Sequence, residues 1–340
     1  MVKSMIKRVL LAIVALLIVV APVIAAEEAE YKLINSLNYH KGMYEAAAGE
    51  IYLKVPLGSE AANVGGDEQD TERYTAGVPF AFRPDENGNI WILDSVNKAL
   101  KLFGKDGALQ KNISLANFGK VVRDFAFDGK KGFWLLSAHD GFIYRIDMTG
   151  RLVSQIEGFS DARAIETGVL EELLVDMPAM ASILRFGDDE LLREQYPCDE
   201  SLSMIEGVGG KLLTFEMGEK NARLLLRSVA SPAETIPLSE YPLDIETPEV
   251  KYVSAKVIGH DKDANLYLSL TACHEETGAI YRDRIFRCTP AGKILAQKDI
   301  LLFPCLAGDL PRDRVVTADG KVLTYYVDSD NNYVVAAYSL

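Results

Sequence analysis

Residues Gly77–Leu115 read GVPFAFRPDENGNIWILDSVNKALKLFGKDGALQKNISL and predict four short β-strands joined by three tight turns. The apolar runs PFAFR, IWILD, ALKLF and LQKNISL alternate with segments rich in Gly, Asn and Asp, which tolerate the backbone angles of tight turns. A lone four-stranded meander leaves two open edges and cannot bury both of its faces. The stretch is therefore expected to be one copy of a repeat.

Five later segments show the same order of apolar strands and turns. The second copy matches best, because DFAF, GFWLLS, FIYRID and MTGRL stand where PFAF, IWILD, ALKLF and KDGAL stand in the first. A period of about 40–50 residues is typical of propeller blades. The later copies span Val122–Phe159, Ala162–Tyr196, Ser203–Glu240, Ser254–Leu302 and Arg314–Leu340.

The sixth copy contains three strand patterns, whereas the others contain four. The alternation in Gly49–Gly58 predicts one further strand ahead of the first copy. Placed outside the last three strands, it completes the sixth blade and closes the ring, which removes the open edges. The sequence therefore predicts an all-β fold, a single six-bladed β-propeller of four-stranded blades over residues 49–340. The alternative, seven blades, would require strands from residues 27–48, which show no clear strand pattern.

The first copy resembles the NHL-type repeat of six-bladed propellers. The preceding segments VPLG and NVGG also resemble the lead-in of exported bacterial NHL-like propellers. The resemblance implies the fold and little about activity, because this architecture carries binding scaffolds, lactonases and lyases alike. The residues that carry the resemblance are the strand starting at Pro79, the turn Asp85–Asn89, Asp94 with Ser95, Asn97, and Asp106 with Gly107.

The N-terminus has the three parts of a secretory signal peptide over residues 1–25, namely a basic start, an apolar run and a small-residue exit. The alternative is a retained membrane anchor, although the apolar run is slightly shorter than the about 20 residues that a span requires. Residues 26–48 are expected to form a linker. The protein is thus predicted to be exported, either to the extracellular space or to the cell envelope.

The overall charge argues against nucleic acid as a partner. Cleavage after Ala25 would remove three basic residues and no acidic one, which changes the net charge from −13 to −16. Binding to phosphate backbones requires a basic face. The expected partners are a protein or peptide, or a small anionic ligand.

The chain contains four cysteines, Cys198, Cys273, Cys288 and Cys305. An even number in an exported protein permits disulfides, and the spacing does not select among the three pairings that four cysteines allow. No two of them form a CxxC pair, which argues against a structural zinc site.

A first candidate ligand site lies where the inner strands of the blades begin. Three cations and one carboxylate around one channel opening would suit an anionic or zwitterionic ligand on the face that carries the 59–76 loop. The alternative is a ring of mutually neutralising charges. Alignment of the copies places Pro79, Asp124, Arg163, Ser203, Lys256 and Arg314 near this rim.

A second candidate consists of His139 and His274, the latter followed by Glu275 and Glu276. Imidazoles and carboxylates bind metals or transfer protons. The two turns belong to blades 2 and 5, which lie opposite each other, so exposed turn residues are the favoured interpretation. The other two histidines, His40 and His260, are expected in the linker and on the opposite face.

Three acid-rich segments contain oxygen-bearing side chains at a spacing similar to that of the ligands in calcium loops. They are Asp85–Asn89, Asp261–Asn265 and Asp328–Asn332. None has the downstream Glu of an EF-hand, and tight turns require the same residue types. The segments are therefore interpreted as turns.

The favoured function is a non-catalytic ligand-binding or protein-binding propeller, with no cofactor predicted. One alternative is a metal-dependent hydrolase of lactonase type, with Glu166 and Glu206 on aligned inner strands holding a divalent cation. The chain lacks a Gly-rich phosphate loop and a G-x-S-x-G elbow. A second alternative is an architectural protein of the cell envelope.

Overall fold

The computed structural model forms six four-stranded antiparallel sheets arranged as the blades of a β-propeller. The statements below concern the residues that the structure describes, namely 49–66, 79, 81–129, 131–168, 171–197, 205–206, 212–218, 221–227, 235–243, 250–274, 280–300, 312, 314–328 and 330–340. The predicted signal peptide and linker lie outside them.

Four consecutive strands form each of blades 1 to 5, whereas blade 6 combines the last three strands with the first. The strands are β1 (Glu50–Pro56); in blade 1, β2 (Ala81–Pro84), β3 (Ile90–Asp94), β4 (Ala99–Phe103) and β5 (Leu109–Ser114); in blade 2, β6 (Asp124–Asp128), β7 (Gly132–Ser137), β8 (Phe142–Asp147) and β9 (Leu152–Glu157); in blade 3, β10 (Ala164–Thr167), β11 (Leu173–Met177), β12 (Ser182–Phe186) and β13 (Leu192–Pro197); in blade 4, β14 (Ile205–Glu206), β15 (Leu212–Met217), β16 (Asn221–Arg227) and β17 (Thr235–Pro242); in blade 5, β18 (Val250–His260), β19 (Leu266–His274), β20 (Ile280–Cys288) and β21 (Ile294–Ile300); and in blade 6, β22 (Arg314–Val316), β23 (Lys321–Val327) and β24 (Asn332–Ser339).

The ring closes as predicted, because β1 pairs antiparallel with β24 at the outside of blade 6. Glu50 lies opposite Ala337, and Pro56 lies opposite Asn332. The strand that precedes blade 1 in sequence thus holds the last blade to the first. The prediction of six blades, with the N-terminal strand completing the sixth, is confirmed.

Burial along the strands explains their sequence patterns. The second strands β3 and β7 are buried throughout, since a neighbouring blade covers each of their faces, and both read as continuous apolar runs. The outer strands β5 and β9 alternate between more and less exposed residues, because only one face packs against the protein.

Aromatic pairs pack between neighbouring blades. Phe82 of blade 1 lies edge-on to Tyr325 of blade 6 with ring centroids 5.9 Å apart, and Trp91 of blade 1 lies 4.7 Å from Phe133 of blade 2. Because each blade buries its apolar faces against the next, the core is a series of layers around the ring.

The acid-rich segments form tight turns, which confirms their interpretation. The Asp85 carboxylate accepts hydrogen bonds from the backbone amides of Asn87 and Asn89 and from the Asn89 side chain. The carboxylates of Asp261 and Asp328 accept the equivalent three hydrogen bonds in their own turns. These carboxylates therefore hold the backbone of the turns.

The segment after β1 folds back onto blade 1. The Asp94 carboxylate, which is fully buried, accepts hydrogen bonds from the Gly65 amide at 2.9 Å and forms an ion pair with Lys101 at 2.8 Å. Lys101 also donates to the carbonyl of Asn63 at 2.6 Å. The first part of the predicted 59–76 loop is therefore fixed to blade 1, while residues 67–76 lie outside the described part of the chain.

Helical structure in the described residues is limited to two 3₁₀ turns, Ala138–Asp140 and Pro178–Met180. None of the helices found in this part of the chain is long and apolar enough to cross a membrane.

Candidate functional site

A cavity of about 510 Å³ lies among the inner strands of the propeller. Its walls come from the last residues of β2, β6, β10, β18 and β22, together with Arg312, which precedes β22. The cavity thus lies toward the end of the channel where the inner strands finish. The predicted rim lies at the opposite end, where these strands begin.

One wall of the cavity is charged and is built around Arg83. Its Nε donates to the carbonyl of Phe125 at 2.6 Å, and its Nη2 donates to the carbonyl of Ile165 at 3.0 Å. Its Nη1 donates to Glu166 Oε1 at 2.8 Å. Arg83 therefore joins the inner strands of blades 1, 2 and 3 and presents a fixed guanidinium group.

Arg312 reaches the same wall from the segment before β22. Its Nη2 donates to the carbonyl of Ile165 at 2.7 Å and lies 2.9 Å from Glu166 Oε2. Glu166 is thus shared between two arginines, one on each carboxylate oxygen. Burial opposes ionisation of Glu166, but the attraction of Arg312 and Arg83 outweighs it and lowers the pKa of this carboxyl group.

Asp124 lies beside the two arginines and is fully buried. It accepts a hydrogen bond from the Ile165 amide at 2.9 Å, and its carboxylate lies 3.9 Å from Arg83 and 3.8 Å from Arg312. Burial raises the pKa of Asp124 despite these cations. Its backbone contact and its charge make it a support for the arginine pair.

The rest of the cavity wall is largely apolar, with Thr167 and His260 as polar exceptions. An apolar wall facing a small number of fixed polar groups is typical of sites for small organic ligands. The apolar side chains are those of Phe127, Val257, Ile258, Val315 and Val316.

Two arginines of the predicted rim each form an ion pair with a carboxylate. Arg163 forms an ion pair with Asp176 of its own blade at 2.5 Å. Arg314 is buried and pairs with Asp283 of blade 5 at 2.8 Å. The charges of both arginines are therefore neutralised separately.

The other four rim residues differ in their positions. Pro79 is buried two residues ahead of β2. Asp124 begins β6 as expected, and its buried carboxylate lies beside Arg83 and Arg312. Lys256 lies within β18, opposite Ser269, because that strand already begins at Val250. Ser203 lies outside the described residues. A ligand-binding role for the rim stays a prediction.

The two predicted histidines lie in separate blades. His139 is exposed in the 3₁₀ turn of blade 2, and the backbone of His274 ends β19 in blade 5. The side chain of His274 and the following Glu275 and Glu276 are outside the described part. His139 is not among the residues that line the cavity, whereas His260 lines it.

Among the cysteines, Cys288 has a free thiol and is buried in blade 5. Its sulfur lies 3.5 Å from the Tyr241 hydroxyl, so it packs in the core between blades 4 and 5, and the structure does not support the disulfide suggested for it. Cys198, Cys305 and the side chain of Cys273 lie outside the described residues.

Glu166 is poorly placed to hold a metal ion with Glu206. Each of its oxygens already contacts the guanidinium group of an arginine, Arg83 or Arg312. A divalent cation would have to displace both arginines. The Glu206 side chain is not described. Within the described residues, no three His, Cys, Asp or Glu side chains are grouped as metal ligands would be.

Comparison with known proteins supports the fold. No family model and no curated protein matches the chain. A solved structure of a DUF4221-family member from Bacteroides vulgatus aligns over 86% of this chain and 97% of its own, with 10% identity and a TM-score of 0.54. At this identity the similarity shows the six-bladed propeller and no activity. The NHL-type resemblance of blade 1 stays a prediction.

Two solved structures with named activities are also similar in shape. Virginiamycin B lyase from Staphylococcus aureus covers 79% of this chain and 97% of its own, with 14% identity and a TM-score of 0.45. Hydrazine synthase from Kuenenia stuttgartiensis covers 78% and 81%, with 13% identity and a TM-score of 0.49. At these identities and TM-scores, the similarity supports no conclusion about the function of this chain.

Proposed function

We propose that this protein is an exported, non-catalytic binding protein whose channel cavity holds a small organic anion. The observation that carries this proposal is the composition of the cavity wall, in which Arg83 and Arg312 stand beside Glu166 and face an apolar surface. An anionic head group would bind the arginines through charge-assisted hydrogen bonds, and an apolar body would contact Phe127 and Val315.

Export is supported by the signal-peptide pattern of residues 1–25 and by the resemblance of blade 1 to exported NHL-like propellers. The proposed site differs from the one expected from sequence, since it lies toward the ends of the inner strands. The hydrolase alternative has less support, because the Glu166 carboxylate is engaged by two cations.

Titration calorimetry with 3-phenylpropionate and its neutral amide tests the proposal. The acid is expected to bind about tenfold or more tightly than the amide, because a hydrogen bond to a charged group contributes about 1.5–3 kcal/mol. The Arg312→Gln variant is expected to lose this preference, and Arg312→Lys to retain part of it. Thermal unfolding of each variant shows whether it is folded.

The matched control is Arg151→Gln, since the Arg151 side chain is 81% exposed and forms an ion pair with Asp147 in its own turn. It should bind as the unchanged protein does. Unchanged acid binding by a folded Arg312→Gln variant would contradict the proposal. Loss of binding in Arg163→Gln instead would place the anion at the opposite rim.

A further inference from the structure

The charged wall already contains an anion, the side chain of Glu166. Its two oxygens bridge the guanidinium groups of Arg83 and Arg312 at 2.8 Å and 2.9 Å. These are the contacts that a ligand carboxylate would seek. A ligand of this kind therefore competes with a residue of the protein itself.

Both arginines have other partners that hold them in place. Arg83 donates to two backbone carbonyls, those of Phe125 and Ile165, and Arg312 shares the Ile165 carbonyl. Since backbone carbonyls on paired strands move little, the guanidinium groups would keep their positions if Glu166 turned away. The anion site is thus preformed beneath the side chain that fills it.

Glu166 can turn away at the cost of one further hydrogen bond, which its Oε1 accepts from the Thr167 amide at 3.1 Å. Its backbone is fixed by the pairing of β10 with β11, opposite Leu174, but its side chain retains 21% exposure. Rotation of that side chain would release a carboxylate toward solvent. By contrast, Asp124 is fully buried and bound to the Ile165 amide, so it stays in place beside the two arginines.

We infer that Glu166 is an internal stand-in for the ligand's head group, and that the ligand is a monocarboxylate with an apolar body. This inference rests on the proposed function. A ligand carboxylate replaces the single carboxylate that leaves when Glu166 is displaced from the two arginines. A carboxylate also reproduces the two-oxygen bridge that Glu166 makes, whereas inorganic phosphate brings more charge and a tetrahedral shape.

The test compares Glu166→Gln with the unchanged protein by calorimetry, using 3-phenylpropionate, 3-phenylpropanamide and inorganic phosphate. Glu166→Gln is expected to bind the acid about tenfold or more tightly than the unchanged protein does, because the competing charge is gone. Binding of the amide should stay the same. Glu166→Ala serves as a second variant if the glutamine side chain prevents folding.

Glu172→Gln is the matched control, because Glu172 pairs with Arg185 at 3.1 Å in the same blade and does not line the cavity. It should leave acid binding unchanged. Acid binding that is equal or weaker in folded Glu166→Gln would overturn the inference while leaving the proposed function intact. Equal tightening for phosphate would overturn the assignment of a monocarboxylate. Absence of anion-selective binding in both proteins would refute the proposed function itself.

Discussion

Replacing Arg314 by methionine is expected to lower the free energy of unfolding by about 3–5 kcal/mol, the usual cost of leaving one partner of a buried ion pair alone. Arg314 Nη1 lies 2.8 Å from each oxygen of Asp283, and both residues are buried. The hydroxyls of Ser269 and Thr271 also donate to Asp283 at 2.8 Å. These hydroxyls are too weak as donors to replace the lost cation.

Urea unfolding followed by tryptophan fluorescence measures this effect, since Trp91 and Trp134 are both buried. The double variant Arg314→Met with Asp283→Asn should recover at least half of the loss, because no buried charge remains. Arg284→Met is the matched control: Arg284 pairs with the half-exposed Asp299 at 2.7 Å, and the expected loss is below about 1 kcal/mol. A double variant no more stable than Arg314→Met would contradict this account.

Lys101→Met is expected to cost about 3 kcal/mol and to loosen the closure of the ring. Lys101 is 1% exposed and is the cation that neutralises the buried Asp94. It also binds the carbonyl of Asn63, so the variant weakens the attachment of the segment after β1. The closing strand β1 would then be held to blade 6 with less support from blade 1.

Urea unfolding and amide hydrogen exchange together test this prediction. In the variant, exchange of the Gly65 amide, which donates to Asp94, should become faster than in the unchanged protein. Exchange of amides in the middle of β3 should change less. Lys111→Met on the outer strand β5 is the control and should change stability by less than about 0.5 kcal/mol. Unchanged stability together with unchanged exchange at Gly65 would show that the ion pair does not secure the closure.

The fold was predictable because its signals are local. Strands such as β3 and β7 are continuous apolar runs, and the turns between strands use Asp, Asn and Gly in fixed positions. Counting strands in the last copy then required an additional strand, and Gly49–Gly58 was the segment with the right pattern. Ring closure followed from this count and from the cost of open edges.

The site was less predictable because its contacts join distant parts of the chain. Arg83 and Glu166 are 83 residues apart, and Arg312 and Ile165 are 147 apart. Alignment of the copies identified Glu166 on an inner strand but did not show which side chains it meets. Arg312 lies outside the repeat pattern, so alignment of the copies did not identify it as a site residue.

One detail of strand geometry explains the position of Lys256. Blade 5 begins with an 11-residue strand that contains two irregularities in register, so Lys256 falls within the strand. One available signal was missed: the third residue of the inner strand is charged in copies 1 and 3, where Arg83 and Glu166 stand. Opposite charges at equivalent positions of one channel favour a direct pair.

The most direct test of the central claim is a crystal structure of the protein with 3-phenylpropionate at a concentration well above its measured dissociation constant. We expect the carboxylate within hydrogen-bond distance of Arg312, the phenyl ring against the apolar wall near Phe127, and the Glu166 side chain turned away. A ligand bound at the opposite rim near Arg163, or an empty cavity under these conditions, would contradict the central claim.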